Sequence, residues 1–287
     1  KASAIEFSDK ERTGVIYART VMPLLSALQD QRSRALSSLR VQEAQSTQRT
    51  VAERQQSLQA LQHSVGAALG TAPAYQAFMQ LQPEEAEGGG FDAQCENRSQ
   101  QVAALVTLLT TATDGSNLTL DPDIDTYYLM DAAMFRLPRL NEYVAQLGEL
   151  SAQAMNAGQL SAHQMRKVTE LVVLARGQLQ GLRDGMAKVQ AYNPGVGLLV
   201  KANAALDSAS HFIQATEEQL MGEEPQGVNP QHVATARAVS GSLAQLTEQA
   251  TVRMDELIAL RVQHMSQARN VTAIIMAACL ALSVYCF

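Results

Sequence analysis

The stretch MRKVTELVVLARGQLQGLRDGMAKV, from Met165 to Val189, decides the fold because its apolar residues alternate spacings of three and four. That alternation is a heptad seam, and helices that carry such seams pack at a crossing angle of about 20°. We therefore expect a helix over residues 161 to 190 that lies along a neighbouring helix. The seam consists of Met165, Val168, Val172, Ala175, Leu179, Leu182, Met186 and Val189.

The same helical periodicity extends outward from this stretch in both directions. Gly and Pro clusters separate the segments, as expected of turns. The fold class that this predicts is all-α: an elongated antiparallel bundle of about six helices, either one bundle or two stacked modules, that runs into a transmembrane helix. The predicted helices span about residues 2–69, 91–113, 122–157, 161–190, 199–220 and 229 onward.

Two of these predicted helices carry an internal irregularity. The first would be on the order of 100 Å long, against about 60 Å for the sixth before the membrane, so we expect it to bend, break or overhang the others. Pro138 lies inside the third predicted helix. Because proline removes one backbone hydrogen bond, it should kink that helix.

Composition and motifs exclude several classes of function. The formal net charge is −6 and no run is rich in Lys or Arg, so the sequence predicts no nucleic-acid partner. The five His residues are scattered, and the chain has no HExxH, no CxxC, no phosphate-binding Gly-rich loop and no nucleophile elbow. We therefore predict a protein that is not an enzyme, with no catalytic residues, no metal site and no cofactor.

The C-terminal residues indicate a membrane segment. Val271 to Phe287 contain no charged residue, which favours the beginning of a transmembrane helix over a buried core helix. We expect the chain to be a fragment: residues 1–270 form an extracytoplasmic domain, residues 271–287 start a truncated span, and a preceding membrane helix is missing. Arg269 alone would place the domain side in the cytoplasm, whereas the acidic balance of the chain is compatible with the outside.

The stretch LDPDIDTYYLMD, from Leu120 to Asp131, concentrates polar and aromatic residues in a chain dominated by helix formers. Asp121 as N-cap followed by Pro122 at the first helical position predicts a helix start. Two interpretations of Tyr127 and Tyr128 stay open. They anchor the packing of this helix, or they line a pocket that encloses and orients a small molecule.

Counting along the predicted helices brings the Leu120 stretch beside residues 17 to 40 of the first helix. Arginines of the first and third helices would then lie near Asp125 and form a site for an organic anion, because guanidinium groups bind carboxylates in a bidentate manner. The alternative is that these arginines face solvent or pair with neighbouring aspartates. The arginines concerned are Arg32, Arg34, Arg136 and Arg139, and the predicted ligand-binding residues are Tyr17, Arg32, Asp125, Tyr127, Tyr128 and Arg136.

The chain contains two distinctive stretches, Ser8 to Leu36 and Ser116 to Leu140, and it closes with a predicted membrane helix. Together they resemble the sensor regions of bacterial methyl-accepting chemotaxis proteins and related membrane histidine kinases, in particular the helical bimodular domains, which have six helices in stacked bundles. At Gln31-Arg32-Ser33 the chain departs from the His-Arg-Gly that relatives tend to show. The matching positions are Glu11, Arg12, Tyr17, Arg32, Asp121, Pro122, Asp125, Tyr127, Tyr128 and Pro138.

The resemblance implies a function. Such domains lie on the periplasmic side of the inner membrane, act as homodimers and bind small molecules, often organic acids. We therefore expect the sensing domain of a chemoreceptor that transmits binding by a small helix displacement. The alternatives are the sensor part of a histidine kinase or diguanylate cyclase, and a non-sensing helical membrane scaffold.

Overall fold

The computed structural model describes residues 2–36, 41–81, 91–222 and 228–286, and these ranges are all-helical with no β-strand. The prediction of an all-α protein is confirmed. Short 3₁₀ turns at Leu118–Leu120 and Pro194–Val196 connect longer helices. The α-helices are α1 (Ala2–Leu36), α2 (Val41–Leu69), α3 (Ala72–Gln80), α4 (Phe91–Gly115), α5 (Ile124–Met130), α6 (Leu137–Ala157), α7 (Ala162–Tyr192), α8 (Leu199–Met221) and α9 (Pro230–Cys286).

The first predicted helix is two helices. α1 ends at Leu36, α2 begins at Val41, and the two pack against each other. The Tyr17 hydroxyl of α1 donates a hydrogen bond to Gln62 Oε1 of α2 at 2.5 Å. The prediction of one continuous helix from residue 2 to residue 69 is wrong, and of the alternatives left open for it the structure shows the break. The side-by-side arrangement lets the apolar stripe of α2 bury against α1 instead of facing water.

The third predicted helix contains a π-helical segment, Asp131–Arg136, between α5 and α6. At its C-terminal end the Leu137 N–H donates a hydrogen bond to the Ala132 carbonyl, five residues back. The segment ends just before Pro138, which has no N–H and whose ring would crowd the carbonyl four residues earlier. The kink predicted at Pro138 stays a prediction, and the irregularity that the structure shows beside this proline is a locally widened helix.

Helix α9 packs against α1, α6 and α8. Arg12 pairs with Asp255 at 2.8 Å and Arg19 with Glu248 at 2.9 Å, so α1 and α9 run antiparallel. The packed part of α9 ends near Ile258, and every side chain from 267 to 285 is exposed. Its buried apolar residues are Ala236, Val239, Leu243, Leu246, Ala250, Met254 and Ile258.

One helix among the residues described, Pro230–Tyr285, is long and apolar enough to cross a membrane. Its most apolar window has a mean hydropathy of 1.5, and none of that window is buried. The C-terminal part of α9, residues 267–285, is therefore not a buried core helix of this chain, which was the alternative left open by the sequence.

Candidate functional site

A buried ion cluster joins α1 to α6 around Arg32, whose side chain is fully buried. Its Nε donates to Glu149 Oε1 at 2.9 Å, and its Nη1 and Nη2 donate to the two oxygens of Glu142 at 2.7 and 3.1 Å. The guanidinium thus has a glutamate on two of its edges. We call Arg32, Glu142 and Glu149 the Arg32 cluster.

Neutral side chains complete the hydrogen bonding of this cluster. The Ser33 hydroxyl donates to Glu149 Oε1 at 2.7 Å, and the Gln29 amide donates to Glu142 Oε2 at 2.9 Å. Asn141 donates in turn to Gln29 Oε1 at 3.1 Å. Asn141 Oδ1 is buried and has no hydrogen-bond partner. An amide oxygen kept from water without a donor costs free energy, so it is a candidate contact for a ligand.

The charges of the Arg32 cluster do not balance, because two carboxylates share one guanidinium. Burial raises the pKa of Glu149, Arg32 lowers it, and repulsion from Glu142 raises it further, with a net upward direction. Burial alone would lower the pKa of Arg32, but the two glutamates outweigh it and raise that pKa. Arg32 is therefore permanently charged, and Glu149 takes up a proton more readily than an ordinary glutamate.

A cavity of about 230 Å³ lies beside the Arg32 cluster, between α1, α6 and α9. We call it the α9 cavity. Small residues form much of its wall, and Asn141 and Glu149 contribute polar groups to it. Because the cavity is smaller than a typical drug pocket, it suits a small ligand. The small wall residues are Ala145, Gly148, Ala152, Ala236, Gly241 and Ala244.

A second cavity of about 550 Å³ lies on the other side of the cluster, between α4, α6 and α7. Glu142 and Glu149 line it, together with Cys95, Lys167 and Glu170. Burial raises the pKa of the Cys95 thiol to about 12, and Glu149 adds to the rise. Since the thiolate is the nucleophilic form, this cysteine is unreactive at neutral pH.

The structure does not bring Arg32 beside Asp125. The Leu120 stretch meets α1 near Glu11, because Arg261 bridges Glu11 and Asp121, whereas Arg32 pairs with glutamates of α6. Glu11 and Arg32 are about 30 Å apart along the axis of α1 at the rise of an α-helix. The predicted position of the Leu120 stretch along the first helix was wrong, because counting residues along the chain assumed a single helix as far as Leu69. Arg34 pairs with Asp30 on its own helix, and Tyr17 is fully buried between α1 and α2.

Asp125, Tyr127, Tyr128 and Arg136 do lie together, along the C-terminal half of α7. Asp125 accepts a hydrogen bond from the Asn193 amide at 2.7 Å, and Lys188 Nζ donates to the Tyr128 hydroxyl at 2.8 Å. Tyr127 packs edge-on against Tyr128, with ring centroids 5.2 Å apart. None of these four side chains lines the two cavities described above, so this geometry favours the packing interpretation of the tyrosines.

Arg136 approaches α7 at a glycine. It pairs with Asp131, and a Cβ at Gly181 would lie 2.2 Å from its Nη1. Gly181 therefore makes room for the guanidinium. This arginine is held by a carboxylate of its own segment, and Arg139 donates to the Phe135 carbonyl and lies over the Phe135 ring.

A second ion cluster lies nearer the exposed end of α9. Arg261 bonds to Asp121, Asp123 and the fully buried Glu11 at 2.6 to 2.8 Å. The helix begins at Ile124, not at Pro122, and Asp123 occupies the N-cap. The predicted capping role of Asp121 was wrong, because its carboxylate binds Arg261 and the Asp123 N–H instead.

Glu11 predicts a pH dependence of stability. Burial, then repulsion from Asp121, raise its pKa from 4.5 to about 7, although Arg261 opposes the rise. Between those two values the folded protein binds more protons at Glu11 than the unfolded chain, so this residue lowers the stability as the pH rises from 4.5 to 7. From pH 5 to pH 8 the free energy of unfolding of Glu11→Gln should rise relative to that of the wild type by on the order of 2 kcal/mol. This figure allows for solvent screening at Glu11.

The measurement is urea unfolding of both proteins at several pH values. Glu6→Gln is the matched control, because Glu6 is exposed on the same helix. Its stability should follow the wild type across the range. Parallel curves for Glu11→Gln and the wild type would contradict the assignment.

The sequence analysis missed Asn141, Glu142 and Glu149. A signal was present, since Glu142 and Glu149 are one heptad apart on a helix whose neighbouring positions Leu140 and Leu147 are apolar and buried. Polar residues that recur next to a seam indicate a buried polar layer. The ion pairing of Arg32 across to α6 could have been inferred from that layer.

Comparison of the chain with protein-family models, curated proteins and solved structures found no match.

Proposed function

We propose that this chain is the ligand-sensing part of a transmembrane signalling receptor, and that a small molecule binds in the α9 cavity. The observation that carries the proposal is the double role of α9. Six of its residues between Val233 and Ala244 line the cavity, and the same helix is long and apolar enough to cross a membrane. A ligand that changes the packing of α9 against α1 and α6 would therefore act on a helix that enters the membrane.

The resemblance to helical bimodular sensor domains supports the same proposal and adds its finer parts. These are an elongated antiparallel bundle of one or two modules, a homodimer, and a position on the periplasmic side of the inner membrane. An organic acid is the ligand class that the resemblance implies. The switching mode is a displacement of α9 between two packed positions, which a ligand biases by binding one of them more tightly.

Thermal unfolding of the full chain in lipid nanodiscs tests the proposal with a panel of organic acids, amino acids and amines. A ligand at a hundredfold excess over its Kd adds about 2.7 kcal/mol to the free energy of unfolding. Gly241→Leu should abolish this gain, because Gly241 lines the α9 cavity and a Cβ there meets no atom within 4 Å. The leucine side chain would thus fill part of the α9 cavity, and its Cβ would clash with no neighbouring atom.

Gly177→Leu is the matched control, since a Cβ at Gly177 on α7 also meets no atom within 4 Å and this glycine lines neither cavity. It should respond to the ligand as the wild type does. If no compound of the panel stabilises the wild type, the sensing function is refuted and the scaffold alternative takes its place.

A further inference from the structure

We infer that the α9 cavity binds a linear organic amine, whose ammonium group pairs with Glu149 while its other end donates a hydrogen bond to Asn141. This inference rests on the proposed sensing function and names its ligand class. It departs from the organic acid that the resemblance implies. Hydrogen bonding, charge and shape each support it separately.

Among the described residues, Asn141 and Glu149 line the cavity and each has one side-chain oxygen that accepts no hydrogen bond. Asn141 is only 7% exposed, yet its Oδ1 has no partner. Glu149 is 4% exposed, and the hydrogen bonds that it accepts from Arg32 and Ser33 both end on Oε1. Within the described part of the chain, Oε2 accepts none. A ligand that satisfies these atoms must bring donors, and an ammonium group is a donor that accepts nothing.

The charge of the Arg32 cluster favours a cation. Two buried carboxylates face one buried guanidinium, and a buried charge without a partner is costly. A ligand carboxylate would add a third negative charge, whereas an ammonium group makes the cluster neutral. The other charged groups of the cavity wall have interactions already: Asp30 pairs with Arg34, and Arg237 makes an interaction of its own.

The shape of the cavity favours a linear molecule. Its wall runs along α6 from Asn141 to Ala152 and along α9 from Val233 to Ala244, about 16 Å in each case at the rise of an α-helix. A volume of about 230 Å³ over that length describes a narrow slot. Asn141 and Glu149 are about 12 Å apart along α6. Only an extended ligand with a thin aliphatic body reaches both groups and fits between the small wall residues.

Four probes of similar length test the inference by isothermal titration calorimetry on the full chain in nanodiscs at pH 8. They are 1,5-diaminopentane, n-pentylamine, pentane-1,5-diol and glutarate. We expect the diamine and the monoamine to bind, and the diol and glutarate not to bind. Diamine affinity should fall as the pH is lowered from 8 to 5, because protonated Glu149 no longer attracts the ammonium group.

Two variants locate the site. Glu149→Gln should weaken diamine binding at least tenfold, and it should fold because it removes the excess negative charge of the cluster. Gly241→Leu should abolish binding without touching a charge. Glu170→Gln is the matched control, since Glu170 lines the cavity on the α7 side and pairs with Lys167. Its diamine affinity should equal that of the wild type.

The outcomes separate this inference from the proposed function. Glutarate binding that Gly241→Leu abolishes would overturn the amine inference and leave a sensor of organic acids. Diamine binding that survives both Glu149→Gln and Gly241→Leu would place the amine elsewhere and also overturn the inference. Failure of every compound in both panels would refute the sensing function itself.

Discussion

Replacement of Arg32 by methionine is expected to lower the free energy of unfolding by about 3–5 kcal/mol, because it leaves two buried carboxylates without their cation. Arg32 has no exposed surface, and its partners Glu142 and Glu149 are 9% and 4% exposed. The loss should shrink as the pH is lowered from 8 to 5, because burial raises the pKa of Glu149 and its protonation removes one of the two charges. Urea unfolding at pH 8 and pH 5 measures both effects.

Two further proteins show whether the loss comes from unpaired charge. Arg32→Met combined with Glu142→Gln and Glu149→Gln should recover most of the stability, since no buried charge is left. Arg19→Met is the surface control. Its pair with Glu248 has both side chains nearly half exposed, so its removal should cost less than about 1 kcal/mol. A triple variant as unstable as Arg32→Met would show that lost packing, not charge, causes the effect.

Gly148→Ala is expected to destabilise the protein by about 1–3 kcal/mol through overpacking between α6 and α9. A Cβ at Gly148 would lie 2.6 Å from the Cβ of Ala236, which is closer than two carbon atoms can pack. The higher helix propensity of alanine returns at most about 1 kcal/mol, so the clash decides the sign. Thermal and urea unfolding of the single variant measure the effect.

Ala236→Gly provides the compensating change, because it removes the atom with which the new methyl group collides. In the wild-type background it should cost about 1 kcal/mol, since glycine is a poor helix former. In the Gly148→Ala background it should restore stability, giving a coupling energy on the order of 1–3 kcal/mol. Gly177→Ala, at an open position of α7, should leave stability unchanged or raise it. Additive effects of the two changes would mean that the helices have simply moved apart.

Periodicity was sufficient to predict most helices of this chain, but it could not place them relative to one another. The seam from Met165 to Val189 predicted α7 almost to its ends, because every seam position after Met165 is buried on one side of a regular helix. The end of α1 at Leu36 was not predicted, since no Gly or Pro marks it in the sequence. That single omission displaced the Leu120 stretch by several turns and put Arg32 beside the wrong residues.

The candidate site was harder to predict than the fold for a related reason. Arg32 was predicted to bind the ligand next to Asp125, but its partners lie on α6, far along the chain, and only packing decides which side chains meet. The tyrosine motif attracted attention because it is unusual in composition. Its side chains make contacts along α7, whereas the α9 cavity is lined mostly by serine, alanine and glycine residues that no motif distinguishes.

The π-helical segment Asp131–Arg136 bears on how the chain tolerates insertions and deletions. A π turn holds one residue more than the α turn that it replaces, and single turns of this kind interrupt α-helices frequently at functional sites. The segment absorbs that residue, so that α5 keeps its Tyr128 contact with α7 while α6 presents Asn141 and Glu149 to the α9 cavity. Removing one residue here would straighten the helix yet preserve both faces, whereas the same deletion within α6 would rotate the glutamates away from Arg32. A deletion of one residue therefore keeps the contacts of Arg32 with its two glutamates when it falls in the π-helical segment, and it breaks them when it falls in α6.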